Sequence, residues 1–335
     1  MKSLRKLLFP FSILYGGITV GRNFLYNKGW LKSKAYNLPV ICVGNLSTGG
    51  TGKTPMIELL VSFLKENHKL AVLSRGYKRK TSGYREVLLN SKVEEVGDEP
   101  LQFKKKFPEI TVAVCEDRQT GIEKLQPTSE LVLLDDAFQH RKVKASFNIL
   151  LTPYDSLYAD DCVLPAGNLR EPRIGAKRAH VIVVTKCPNN ISPSNIENIK
   201  RKLNPTSKQE VYFSKIGYGS EIKAANQSKP IEYLNDKKFL LVTGIANPKP
   251  LISYLKKRGL TFEEKSFPDH HNFTTSEIES LKTHKLILTT EKDFMRLASL
   301  KDVTEIYYLP IQTVIMNGEE ANFKSRINKS LREFH

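Results

Sequence analysis

The chain is 335 residues long and carries 52 Lys and Arg against 35 Asp and Glu, a formal net charge of +17. This length excludes a single small module and allows two domains that each bury a core, while 40% hydrophobic and 26% charged residues exclude wholesale disorder and a polytopic membrane protein. Cys42, Cys115, Cys162 and Cys187 are too few and scattered for a disulfide framework and form no CxxC pair, so reduced thiols without disulfide partners are expected. A basic excess of this size calls for an acidic partner, and composition does not choose among nucleic acid, anionic lipid and phosphorylated small molecules.

Residues 1–32 form a first segment. Lys2, Arg5 and Lys6 precede an apolar run from Leu7 to Val20, and Arg22, Lys28 and Trp30 follow it. No small-x-small cleavage site closes the run, as a signal peptide would require. The run holds Pro10, Gly16 and Gly17 and is shorter than the roughly 20 residues a helix needs to span a bilayer. Two readings stay open: a helix lying on an anionic leaflet, and an apolar helix docked on the protein's own core.

From residue 39, short β-branched runs alternate with helical patterns, the signature of a mostly parallel sheet with crossover helices. The predicted strands are Pro39–Val43, Leu70–Leu73, Ile110–Val114, Leu131–Asp135, Phe147–Leu151 and Val181–Val184. Met56, Leu59, Leu60, Phe63 and Leu64 share one face of a helix between the first two. These elements define an α/β core over 33–211. A polar stretch and a basic helix lead to Pro205–Lys208, and a smaller α/β domain is expected over 212–335. Its secure mark is Thr274 with Glu277 three residues on, a capping box.

The most informative stretch runs from Val40 to Pro55, an apolar strand entering a glycine-rich turn that ends Gly49-Gly50-Thr51-Gly52-Lys53-Thr54 and opens a helix. Glycines let backbone N–H groups converge on phosphate oxygens, the helix N-terminus adds a positive dipole, Lys53 can reach β- and γ-phosphates, and the Thr54 hydroxyl can ligand Mg²⁺. The strict pattern would place Gly at position 47, which is Ser47. A second strand, Leu131–Asp135, ends in the pair Asp135-Asp136, which puts one of these acids beside the loop where Mg²⁺ is held. Asp98 and Glu99 stand at the mouth of a predicted helix, and Asp269-His270-His271 supplies imidazoles far along the chain. An Asp held by a His is a workable general base for a hydroxyl that attacks phosphorus.

Ser47-x-Gly49-Gly50-Thr51-Gly52-Lys53-Thr54-Pro55, Ser74-Arg75-Gly76-Tyr77, Gly97-Asp98-Glu99-Pro100, Asp135-Asp136-x-Phe138-Gln139-His140, Leu164-Pro165-Ala166-Gly167-x-Leu169-Arg170-Glu171-Pro172 and Thr290-Glu291-Lys292-Asp293 occur in order over nearly the whole chain. Together they closely resemble the tetraacyldisaccharide 4′-kinases of lipid A biosynthesis. The resemblance implies a P-loop kinase that moves the γ-phosphoryl group of ATP, with Mg²⁺, to the 4′-hydroxyl of a tetraacylated glucosamine disaccharide 1-phosphate at the cytoplasmic face of the bacterial inner membrane. It implies Asp98 as catalytic base paired with His270, and Asp135 and Asp136 at the Mg²⁺ and catalytic centre. Gln139, His140, Arg170 and Glu171 match elements near the site, Arg75 and Tyr77 follow a strand beside the loop, Glu99 of the Gly-Asp-Glu element joins them as a candidate for binding substrate, and Arg118 is a further cation available to phosphate. Two departures are Ala137 where the family pattern has Gly, and His271, which makes the choice of histidine ambiguous.

A rival reading is a partition-type or metallochaperone-like nucleotide switch. Its deviant loop places a signature lysine before the paired glycines, where this chain has Thr48. Nucleic-acid binding has neither zinc-finger spacing nor an RNP aromatic pattern to support it.

Overall fold

The computed structural model describes residues 5–225, 227–269, 271, 273–297 and 305–334. The chain divides into two units, one made of the residues up to Ile216 together with those from Thr313 onward, the other of Gly217–Gln312.

The first unit is built on a nine-stranded sheet: β1 (Val40–Asn45), β2 (Leu70–Ser74), β3 (Arg85–Glu86), β4 (Thr111–Val114), β5 (Leu131–Asp135), β6 (Phe147–Pro153), β7 (Val181–Thr185), β8 (Glu210–Tyr218) and, late in the chain, β15 (Ile311–Ile315). Their spatial order is β15-β8-β7-β6-β1-β5-β2-β4-β3. Strands β8 through β4 in that order pair in parallel, and the short β3 runs antiparallel to β4. Alternation along the strands feeds two cores. Cys42, Leu73, Leu134 and Val184 join Ile122, Leu125, Ile199 and Leu203 from helices on one face. Ile41, Val43, Leu133 and Val183 join Met56, Leu60, Leu101 and Phe103 on the other. Both faces are covered, as a parallel sheet requires. Central β1 has β5 on one side and β6 on the other, the arrangement that opens a crevice at the strands' carboxyl ends.

Two boundaries differ from the sequence reading. The C-terminal residues return to the first unit instead of finishing the second: the helix Glu320–Arg332 places Phe323, Ile327 and Leu331 in the core that contains Tyr212 and Ile315. The N-terminal segment is not separate either. Its helix, Phe9–Asn27, turns Ser12, Thr19 and Asn23 inward, while Phe11, Ile13, Leu14 and Ile18 are each more than 60% exposed. Of the two expectations, core docking by the apolar face is the one the structure corrects, because the docked face is the polar one. Among the described residues no helix is long and apolar enough to cross a membrane.

The second unit holds a six-stranded sheet, with β9 (Glu221–Lys223), β10 (Ser228–Pro230), β11 (Phe239–Thr243), β12 (Phe262–Ser266), β13 (Leu286–Thr290) and β14 (Glu305–Leu309) in the order β10-β9-β14-β13-β11-β12. Leu241 and Leu288 pack on one side with Leu251 and Leu255, and Val242 and Ile287 on the other with Leu281 and Phe294. The predicted capping box is present: Thr274 N donates to Glu277 Oε2 at 2.8 Å and Glu277 N to Thr274 Oγ1 at 3.3 Å.

Candidate active site

The glycine-rich loop leaves β1 and turns into the helix Lys53–Leu64, with Gly52 at its N-cap in the left-handed region (φ +89°). That conformation strains any other L residue and accounts for a glycine immediately before the lysine. Ser47, by contrast, lies in a short antiparallel bridge to Leu169 and is not among the residues of positive φ. Glycine's freedom is not needed there, so the departure from the strict pattern is tolerated. The loop is braced from three sides. Asn45 Nδ2 donates to Thr51 Oγ1 at 2.8 Å, Thr185 Oγ1 to the Thr51 carbonyl at 2.7 Å, and Lys186 Nζ to the Gly50 carbonyl at 2.6 Å. Thr185 and Lys186 at the end of β7 thus bind the loop's own backbone.

Strand β5 delivers the paired acids. Val43 and Asp135 are register partners, and Asp136 N donates to the Val43 carbonyl at 3.0 Å. Asp136 itself takes the positive φ, +49°, and Ala137 does not, which explains why alanine suffices at a family glycine position. Gly44 allows this segment to close on β1, for a Cβ there would stand 2.6 Å from Phe138 Cβ.

The two acids face different partners. Asp136 Oδ1 lies 3.6 Å from Lys53 Nζ, and Arg170 donates from Nη2 to Oδ1 at 2.7 Å and from Nη1 to Oδ2 at 3.2 Å. Burial would raise this carboxyl, but Lys53 and Arg170 prevail and hold it below the usual range. Asp135 is 2% exposed and accepts from Ser74 Oγ at 3.0 Å, while its Oδ1 is buried without a hydrogen-bond partner. Burial, then Glu99 and Asp136, push it up to about 7, with Lys53 and Ser74 opposing.

Asp98 and Glu99 open the helix Asp98–Lys106, and Asp98 is 9% exposed. Gly97 packs directly on the chain after β2, where a Cβ would meet the Tyr77 carbonyl at 3.2 Å. This close approach sets the turn that carries Arg75 and Tyr77, both exposed, against the residue that precedes Asp98 and Glu99. Arg118, expected as a cation for phosphate, is 3% exposed and donates to the carbonyls of Cys115, Glu116 and Asp135, behind the β5 strand end. His140 Nε2 is 3.7 Å from Asp117, and burial followed by Arg118 holds its imidazole below the usual range. Gln139 Nε2 donates to the Asn45 carbonyl at 2.8 Å and to Glu171 Oε1 at 3.0 Å, and Glu171 is fully buried.

His270 lies outside the described residues. His271 Nε2 is 2.8 Å from Glu277 Oε2 and its ring stacks on Phe267, so this imidazole is committed to the capping box of the second unit. Asp293 is likewise structural within that unit, accepting from Gly244 N and Thr290 Oγ1, each at 2.7 Å.

The model of the Tetraacyldisaccharide-1-P 4′-kinase family matches residues 4–332. The chain belongs to this family. Tetraacyldisaccharide 4′-kinases among its relatives include that of Flavobacterium johnsoniae, 49% identical over 99% of both chains, and that of Bacteroides thetaiotaomicron, 43% identical over 98% of this chain and 94% of the other. A crystal structure of the kinase LpxK from Aquifex aeolicus in complex with ATP is similar with a TM-score of 0.79 and 33% identity, over 98% of this chain and 99% of that one. Against this kinase family, residues that the motif reading did not single out are Asn45, Arg178 and Asn23, all polar and all bonded to a motif residue. Only the polar interruptions of otherwise apolar segments, Asn45 in β1 and Asn23 in the N-terminal helix, carried a signal for them.

Proposed function

We propose that the chain is an ATP-dependent kinase that phosphorylates the 4′-hydroxyl of a tetraacylated glucosamine disaccharide 1-phosphate in lipid A biosynthesis. The observation that carries the site assignment is the meeting of Lys53 and Arg170 on Asp136, next to the unpaired oxygen of Asp135. A buried carboxylate oxygen with no hydrogen-bond partner, and a threonine hydroxyl in the first turn of the helix after the loop, are hard oxygen donors that suit Mg²⁺, which keeps most of its shell as water and phosphate oxygen. Thr54 and Asp135 are the residues we assign to hold it. When bound, the ion neutralises charge on the β- and γ-phosphate oxygens.

Gly49, Gly50, Thr51 and Gly52 present backbone N–H groups to the nucleotide phosphates, and Lys53 adds a cation that follows the charge on the transferring group. Asp136 keeps Lys53 and Arg170 aimed at one place, so no side chain need reorganise as charge develops. Asp98 accepts the proton of the attacking hydroxyl, with His270 the imidazole that we assign as its partner on the family pattern; the engagement of His271 with Glu277 favours that choice. Arg75, Tyr77, Glu99, Arg118, Gln139, His140, Arg170 and Glu171 complete the substrate side of the site, Arg118 and Glu171 from buried positions.

The N-terminal helix supports a peripheral place on the cytoplasmic face of the inner membrane. Its outward face is a row of Leu, Ile and Phe, and apolar surface of that size, flanked by cations, fits the interface of an anionic leaflet. The test is direct. Purified full-length protein with Mg·ATP should phosphorylate the tetraacylated disaccharide 1-phosphate, and Asp98→Ala should abolish turnover while nucleotide still binds. Absence of phosphorylated lipid and of acceptor-dependent ADP would overturn the reading. Phe11→Ser with Ile18→Ser should weaken binding to anionic vesicles, and unchanged binding would remove the membrane role from this face.

A further inference from the structure

The inward face of the N-terminal helix is chemically odd for a docked helix, since its contacts are hydrogen bonds from polar side chains. Those of Ser12, Tyr15 and Asn23, and of Arg5 just before the helix, end on the segment Pro165–Glu171, while Arg141 donates to the Asn23 carbonyl and to Asn27 Oδ1; the segment is itself paired with the phosphate-binding loop. Arg5 donates to the carbonyls of Pro165 and Gly167, Ser12 Oγ accepts from Ala166 N at 2.9 Å, and Tyr15 OH donates to the Arg170 carbonyl at 2.8 Å. Asn23 Nδ2 donates to Glu171 Oε2 at 2.8 Å. On the other side of the segment, Thr48 N donates to the Asn168 carbonyl at 2.8 Å and Arg170 N to the Leu46 carbonyl at 2.7 Å.

We infer that the polar face of this helix is a positioning element for the kinase reaction: Asn23 and Tyr15 fix the Arg170–Glu171 segment and, through it, the alignment of Arg170 and the phosphate-binding loop.

Glu171 is the hub. It is a fully buried carboxylate whose Oε1 accepts from Gln139 at 3.0 Å and Arg178 at 2.7 Å, while Oε2 accepts from Asn23. Gln139 then donates to the carbonyl of Asn45, and Arg170 Nη2 donates to the Asn45 side chain and to Asp136. Truncating Asn23 leaves Glu171 Oε2 without this donor in a buried place, which is costly enough that the segment must shift to find another. Arg170, one residue away, has its carbonyl held by Tyr15 and its guanidinium gripping Asp136, so a shift there is passed directly to the group opposite Lys53. A displacement of the order of 1 Å at a reacting group can cost about a hundredfold in rate. The apolar outer face takes no part in these bonds, so anchoring and alignment reside on opposite sides of one helix.

The activity arm of the test rests on the kinase reading; the exchange arm does not. Tyr15→Phe removes one hydroxyl and leaves the ring, so folding is preserved, and Asn23→Ala removes the donor to Glu171. In lipid phosphorylation, each should lower kcat by about tenfold with KM for ATP within about twofold, while binding to anionic vesicles stays at the wild-type level. Hydrogen exchange should become faster at the amides of Thr48 and Arg170 in both variants, and stay unchanged in Phe11→Ser with Ile18→Ser. Unaltered exchange at these amides, or losses of activity that follow loss of vesicle binding, would overturn the proposal. If the wild-type protein phosphorylates no lipid, the kinase reading fails, and the exchange result still decides whether the helix aligns the loop.

Discussion

Arg170 grips Asp136 through both terminal nitrogens, at 2.7 Å and 3.2 Å. A planar fork matched to a carboxylate fixes direction as well as charge, and lysine provides only a point charge. Arg170→Lys should therefore keep the fold and lose rate: kcat down by about tenfold or more in steady-state assays, with a melting temperature within a few degrees of wild type. A wild-type kcat would show that the geometry of this pair is dispensable.

Asp135 should make the site less stable than it would be without the acid. A carboxyl raised from 3.8 to about 7 in the native state contributes stability that is fully present below 3.8 and lost as pH rises through about 7. Asparagine cannot ionise and still accepts from Ser74. In thermal melts without nucleotide or Mg²⁺, Asp135→Asn should melt above wild type at about pH 8, by about 2–4 °C for each kcal/mol recovered, and the advantage should shrink toward pH 4. Turnover should be lost. A lower melting temperature at both pH values would contradict the direction of the shift.

Gly44→Ala tests the close approach behind the paired acids. The added methyl would sit 2.6 Å from Phe138 Cβ and 3.1 Å from Phe138 N, and backbone contacts of that kind cannot be relieved by a rotamer change. Overpacking of a tight core costs about 1–3 kcal/mol, read from denaturant melts. Because Phe138 follows Asp135, Asp136 and Ala137, activity should fall further than stability alone predicts.

The capping box gives the second unit an acid-sensitive end. The Glu277 carboxyl is lowered from 4.5 to about 2, first by the Thr274 backbone N–H and then by His271. The stabilisation is thus present above 4.5 and is lost as pH falls through about 2. Thr274→Ala should cost about 1 kcal/mol at neutral pH, measurable as faster hydrogen exchange at the start of the helix Thr275–Lys282. Equal exchange in wild type and variant would show that the cap is idle.

Much of the first unit was legible from local pattern. The apolar runs at Leu131–Asp135 and Val181–Thr185 can satisfy their backbone only in a buried sheet, and the glycine-rich turn before Lys53 has one chemical use that explains its parts. The return of Ile311–Ile315 and Glu320–Arg332 to the first sheet was not legible, because helical periodicity tells that Phe323, Ile327 and Leu331 share a face and says nothing of which core receives it. For the same reason Asn23 and Glu171, separated by 148 positions, announced no pairing. Charge alone did not tell burial: Arg118 was expected as a cation available to phosphate, and its terminal nitrogens donate to three carbonyls from a position only 3% exposed.

The inverted helix Phe9–Asn27 has a consequence for divergence between species. On an ordinary surface helix the buried apolar positions resist substitution and the polar ones drift. Here Phe11, Ile13, Leu14 and Ile18 need only remain greasy, so they are free to interchange, whereas Ser12, Tyr15 and Asn23 are constrained in identity by the atoms they bond. Variation along this segment should fall on its hydrophobic residues, and a method that equates hydrophobicity with constraint would read the helix inside out.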